Sequence, residues 1–138
     1  MVSIKELHEQ NHQIAELSKI LSYLFQDREM CDAEVTCELF ERYRDKFFAH
    51  TSNNRGIYSQ LLSHSENDAT AYRFMEGEKE LKRIFNQYQA KWCKNGLRIG
   101  DHIQFLIETE GMFKLVTQRI QAETEQLYPL VRSMEVAA

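Results

Sequence analysis

Residues 40–61 read FERYRDKFFAHTSNNRGIYSQL. Phe40, Tyr43, Phe47, Ile57 and Leu61 recur at intervals of three and four, and His50 and Asn54 continue that rhythm across the gap between Phe47 and Ile57. A repeat near 3.6 residues forms one face of an α-helix, so this apolar face carries two polar residues one turn apart. The pattern predicts a helix from about Ala33 to Leu62. Ser63 to Asp68 then supplies the loop and cap formers expected at its end.

Similar stripes lie on both sides. A first helix is predicted from Ser3 to about Gln26, with Leu7, Ile14, Leu17, Leu21 and Leu24 on its apolar face and Asn11 beside that stripe. Ser3 and Glu6 have the spacing of a capping box. The charged run Asp27 to Asp32 reads as a turn. A third helix is predicted from about Ala69 to Lys94, with Phe74, Glu78, Leu81, Phe85, Tyr88 and Trp92 in register. Asn95-Gly96 closes it, because glycine adopts the left-handed conformation that ends helices. A fourth opens at Asp101, with Gln104 completing a second capping box. Its stripe is Phe105, Met112, Leu115, Val116, Arg119, Glu123 and Leu127, and Pro129 should bend or end it near Leu127. Glu135 to Ala138 are expected to fray. Four amphipathic helices with short connections predict an all-α, up-down-up-down antiparallel four-helix bundle, with residues 1–138 as a single domain.

Composition narrows the function classes. The net charge is −4 and no basic run stands out, which argues against a nucleic-acid partner. No apolar run approaches the roughly 20 residues that span a bilayer. Lys5 and Glu6 interrupt any signal-peptide pattern, so a cytoplasmic location without membrane association is expected. Cys31, Cys37 and Cys93 form no Cys-x-x-Cys pair and are read as free thiols. No phosphate loop, Gly-x-Ser-x-Gly elbow or Cys-His-Asn order assembles a nucleophile with a base, so no enzyme is expected.

The informative residues are the polar ones inside apolar stripes: Asn11, His50, Asn54, Glu78, Arg119 and Glu123. His50 and Asn54 are four apart, as are Arg119 and Glu123, so each pair points one way on its helix. At about 1.5 Å per residue, all six positions can sit at one level of an antiparallel bundle.

These residues resemble the hemerythrin-like, or HHE cation-binding, family. Its second and fourth helices each carry His-x-x-x-Glu and then an aliphatic-aromatic-Pro ending. His50-Thr-Ser-Asn-Asn54 with Ile57-Tyr58 is similar to the first motif, and Arg119-Ile-Gln-Ala-Glu123 with Leu127-Tyr128-Pro129 to the second. The stretch from Trp92 through Phe105, Glu108, Arg119 and Glu123 to Pro129 resembles a bacterial branch of the family. The resemblance implies histidines near Asn11, Glu78 and Arg119 and a carboxylate at Asn54, leaving His50 and Glu123 as the ligands that match. Arginine is always protonated and cannot ligate a cation. The chain thus looks like a degenerate member, with Arg119 between carboxylates supplying the charge a metal would supply. No metal or other cofactor is then expected. An iron site, if one forms, would use His50 and Glu123 with Glu78 or His12.

Other histidines give weaker signals. His8 and His12 have ligand spacing but fall largely off the apolar stripe, and His64 and His102 lie at helix boundaries as loop or capping residues. Trp92 is expected to pack the third helix on the fourth. Two readings follow. The first is a non-catalytic regulatory or adaptor protein, monomer or homodimer, whose acidic exposed helices bind a basic or mixed protein partner. The alternative is a hemerythrin-like non-heme iron protein that binds or senses oxygen.

Overall fold

Ser3 begins the first helix as its sequence suggests: its side chain accepts a hydrogen bond from the Glu6 amide at 3.2 Å. The computed structural model describes residues 3–93 and 99–137. All regular structure among them is helical: α1 (Ile4–Phe25), α2 (Arg28–Cys31), α3 (Glu34–Leu62), α4 (Asp68–Trp92), α5 (His102–Ala122) and α6 (Tyr128–Ala137). A 3₁₀ turn, Ser65–Asn67, leads into α4. Asp101 caps α5 by accepting from the Gln104 amide at 3.0 Å. The predicted Asn95-Gly96 stop and the Lys94 end of the third helix lie outside the described residues, as does Ala138.

Three boundaries depart from expectation. Asp27 to Asp32 is not a simple turn. Asp27 caps the short α2 by accepting from the Glu29 amide at 3.0 Å, and Cys31 is buried beneath it. Glu135 to Ala137 continue α6. Pro129 neither ends nor breaks the helix. A π turn, Glu123–Leu127, joins α5 to α6, with the Tyr128 amide bonded to the Glu123 carbonyl. Proline lacks an amide hydrogen and its ring crowds the carbonyl four residues back. Widening the preceding turn moves that carbonyl without interrupting the rod.

Helix α1 packs along α3 and α5, and α4 packs along α3 and α5. Two apolar cores result. One holds Ile14, Leu21 and Phe25 of α1 with Phe40, Tyr43, Phe47, Leu81, Phe85, Phe105 and Val116. The other holds Ile4, Leu7, Ile57, Leu61, Phe74, Leu127 and Val131. Trp92 packs edge-on against Phe105 with ring centres 5.3 Å apart, which joins α4 to α5 as predicted. His102 lies in the first turn of α5, where its Nε2 donates to the Phe25 carbonyl at 2.7 Å and ties α5 to the end of α1. The stripe of α5 differs in one respect: Leu115 is 40% exposed, while Thr109 and Phe113 are buried in its stead. No helix among the described residues is long and apolar enough to cross a membrane.

Candidate functional site

The two cores are separated by one layer of polar side chains. Each long helix reaches this level between two apolar residues: α1 between Leu7 and Ile14, α3 between Phe47 and Ile57, α4 between Phe74 and Leu81, and the α5–π segment between Val116 and Leu127. All six polar residues read from the sequence are here. Asn11, His50, Asn54, Glu78 and Glu123 are buried, and the Arg119 side chain is 13% exposed. Asn11 lies within the α1 stripe, not beside it, because the buried positions run Leu7, Asn11, Ile14. His12 is exposed and takes no part. His8 is half-buried, with its ring edge-on to Tyr128 at 5.2 Å, so it is not simply a solvent-facing residue.

Glu123 is the hub. Its Oε1 accepts from His50 Nε2 at 2.7 Å and from the Tyr128 hydroxyl at 3.1 Å. Its Oε2 accepts from Arg119 Nε at 2.8 Å and Asn54 Nδ2 at 3.0 Å. Four donors thus share one carboxylate. Burial alone pushes its pKa up, but the bonds and charges of His50 and Arg119 outweigh burial and hold it below the usual carboxylate range. Glu123 is an anion in the folded chain at neutral pH.

Arg119 uses all three of its nitrogens. Beside Nε, its Nη1 donates to the Phe74 carbonyl at 2.9 Å and Nη2 donates to the Tyr58 hydroxyl. Its guanidinium lies over the Phe74 ring, 4.8 Å from the centroid, where the ring face attracts a cation. Gly77 makes room for it: a Cβ there would lie 3.1 Å from Nη1. The Tyr58 hydroxyl passes the network on to Glu78 Oε1 at 3.0 Å. Arg119 therefore reaches Glu78 through Tyr58 and not by a direct bond. The nearer cation for Glu78 is Lys82, 3.7 Å away and one turn along α4.

Tyr58, Tyr128 and Gln10 also belong to the layer; hydropathy hides the two tyrosines, and Gln10 lies off the apolar stripe of α1. Tyrosine counts as apolar, yet its hydroxyl needs a partner when buried. Burial pushes the hydroxyl pKa of Tyr58 and of Tyr128 far above the ordinary range, so both stay protonated donors. Asn11 Nδ2 donates to the Tyr128 hydroxyl at 3.4 Å, and Gln10 meets His50 Nδ1 at 3.0 Å at the half-buried edge. The four-residue spacing of Glu78 and Lys82 was readable. Tyr128 lies five residues beyond Glu123, and only the π turn places it above that carboxylate.

Two acceptors in the layer, Asn11 Oδ1 and Asn54 Oδ1, have no hydrogen-bond partner among the described residues. Among those residues, no group of three or more His, Cys, Asp and Glu is placed to hold a metal ion. Chemically the layer is a charge-paired network. His50 and Arg119 are each bonded to Glu123, and the Tyr58 hydroxyl links Arg119 to Glu78. Compared with family models, curated proteins and solved structures, the chain matches none.

Proposed function

We propose that this chain is a non-catalytic regulatory or adaptor protein of the cytoplasm that acts by binding another protein. Its scaffold is a hemerythrin-like, up-down-up-down four-helix bundle in which charge pairing replaces the metal. The observation that carries the reading is the saturation of Glu123, whose two oxygens accept four bonds. A metal would have to displace His50 from Glu123 and stand beside a guanidinium that repels it. Glu78 is held by Tyr58 and Lys82, and His12 is exposed, so neither supports the iron site that the alternative requires. The ring of contacts among α1, α3, α4 and α5 supports the four-helix topology.

With the interior closed, recognition falls to the surface. The net charge of −4 suits a partner with a basic or mixed face. Two measurements test the proposal. Chain purified without tag or chelator should carry no stoichiometric iron and show no visible absorption in air. Two irons per chain would overturn the metal-free layer. Affinity purification under gentle lysis should recover a stoichiometric protein partner that exchanges with added untagged chain. A chain recovered free would overturn the adaptor role.

A further inference from the structure

The outward side of α1 gathers bases that no acid holds. Lys5, His8 and His12 recur at intervals of three and four, so they share one face of the helix. Arg132 meets them from α6, one residue beyond the buried Val131. Together with Glu9 and Gln13 they line an open cleft of about 490 Å³. Several other surface cations sit beside carboxylates: Lys19 on Glu16, Arg28 on Asp32 and Lys91 on Glu108. Here Arg132 Nη2 faces His8 Nε2 at 3.4 Å instead, and neither Lys5 nor Arg132 has a carboxylate partner among the described residues. Glu9 is the one acid in the lining, and it is bonded to none of these bases. In a chain of net charge −4 the cleft is a local positive field.

Hydrogen-bond polarity points the same way. A guanidinium and an ammonium only donate. His8 Nε2 therefore accepts from Arg132, and the ring hydrogen is on Nδ1. Lys46 Nζ donates to Gln13 Oε1 at 2.9 Å, so the amide nitrogen is what Gln13 has left to offer. Apart from Glu9, each side chain of the lining keeps at least one free N–H among the described residues. A lining of donors takes a ligand of acceptors.

We propose that the cleft between α1 and α6 binds the phosphate of a phosphomonoester. Such a phosphate carries about two negative charges at neutral pH and three terminal acceptor oxygens. The fixed charges of Lys5 and Arg132 match that charge, and Lys46 adds a third at the rim beyond Gln13. A guanidinium gives phosphate two parallel bonds, and an ammonium adds a point charge. A carboxylate brings less charge and fewer oxygens, and leaves more of these donors without a partner. His8 is the anchored member of the lining, half-buried and edge-on to the Tyr128 ring at 5.2 Å. The cleft is open, so the rest of the ligand stays outside it. The inference does not depend on the adaptor reading.

Calorimetric titration of the full chain with glycerol 3-phosphate, at constant ionic strength, tests it. One site per chain with a Kd below about 1 mM is expected, and glycerol alone should not bind. Arg132→Gln should weaken binding about tenfold, and Lys5→Gln severalfold. Glu9→Gln should tighten it severalfold, because it removes the like charge beside the ligand. Lys19→Gln, on the same helix but paired with Glu16, should leave binding unchanged. All four positions are exposed, so helical circular dichroism should be kept in each variant. At saturation the imidazole NMR signals of His8 and His12 should shift while those of His64 and His102 stay. Vesicles of phosphatidylcholine with phosphatidic acid separate two sources of the phosphate. Binding of glycerol 3-phosphate supports a soluble ligand, and binding of the vesicles alone supports a lipid headgroup. Failure of both to bind in that range overturns the proposal. So does binding indifferent to Arg132→Gln, or binding that Glu9→Gln weakens or leaves unchanged.

Discussion

Replacing Arg119 by methionine keeps an aliphatic stem of similar length and removes the cation. The side chains of Arg119 and Glu123 are 13% and 1% exposed, so solvent screens the pair little. The substitution deletes the 2.8 Å bond to Glu123 and the donors to Phe74 and Tyr58. Removing one partner of a buried pair costs about 3–5 kcal/mol, because the other charge is left uncompensated. Glu123 keeps His50, Asn54 and Tyr128, so the lower end, about 3 kcal/mol, is expected. For a chain of this size that lowers the melting temperature by roughly 10 °C. Urea titration should show the loss at an unchanged slope, which marks a change of stability without a change in exposed surface. Glu123→Gln should also destabilise the wild-type chain but should cost less, or restore stability, in the Arg119→Met background. The cycle should give a coupling of about 2 kcal/mol. The pH dependence has a definite sign. The folded carboxyl of Glu123 lies below its unfolded value, so its contribution is complete above the unfolded value of about 4.3 and is lost as pH falls through the folded one. Without Arg119 one cause of that depression is gone, so the contribution is smaller and its loss on acidification is complete at a higher pH. A cost of Arg119→Met under about 1 kcal/mol, the range of a surface pair, would refute the argument. So would additive single and double variants.

Three further predictions concern the same framework. Gly77→Ala and Gly111→Ala are one substitution with opposite expected signs: the first drives a methyl against an Arg119 held on three sides and should cost about 1 kcal/mol net, and the second meets open space and should gain up to about 1 kcal/mol, both by urea titration at low micromolar concentration. Burial raises the Cys31 thiol, and burial with Cys37 nearby pushes Cys93 up to about 12, so a thiol reagent at pH 8 should reach these two slowly in the folded chain and rapidly in urea, and prompt labelling at Cys93 would contradict their packing. Pro129→Ala restores an amide hydrogen and relieves the crowding that widens the preceding turn, so amide hydrogen exchange across residues 125–129 should slow, and unchanged exchange would mean that proline is not the cause of the π turn.

How much was legible depended on the helix. In α3 and α4 the polar residues stand alone between large apolar ones, and periodicity placed His50, Asn54 and Glu78 on the buried face. In α5 the run Phe105, Leu106, Ile107 and the run Met112, Phe113, Leu115, Val116 put apolar residues nearly all round. A period cannot choose a face there, and Leu115 was assigned inward where Thr109 and Phe113 belong. The link from Arg119 to Glu78 was read as an ion pair because charge can be seen in a sequence. The Tyr58 hydroxyl that carries the link counts as part of an apolar ring. Asp27 to Asp32 was read as a turn from its charges, yet one of those aspartates caps a helical turn.

The π turn at Glu123–Leu127 gives this helix one place where its length is negotiable. It holds one residue more than an α-helical turn would, and it sets Tyr128 over Glu123 at a spacing of five. Deleting a single residue among Thr124, Glu125 and Gln126, together with Pro129→Ala, would turn that spacing into four. In an ordinary α-helix residues four apart also share a face. The Tyr128 hydroxyl would still reach the carboxylate, and Val131 would still face its core. The same deletion anywhere in α4 would rotate every later side chain by about 100° and drag the polar layer out of register. The bundle thus has a joint that can lose a residue without turning Tyr128 or Val131 from their faces, and that joint lies beside the carboxylate on which the layer depends.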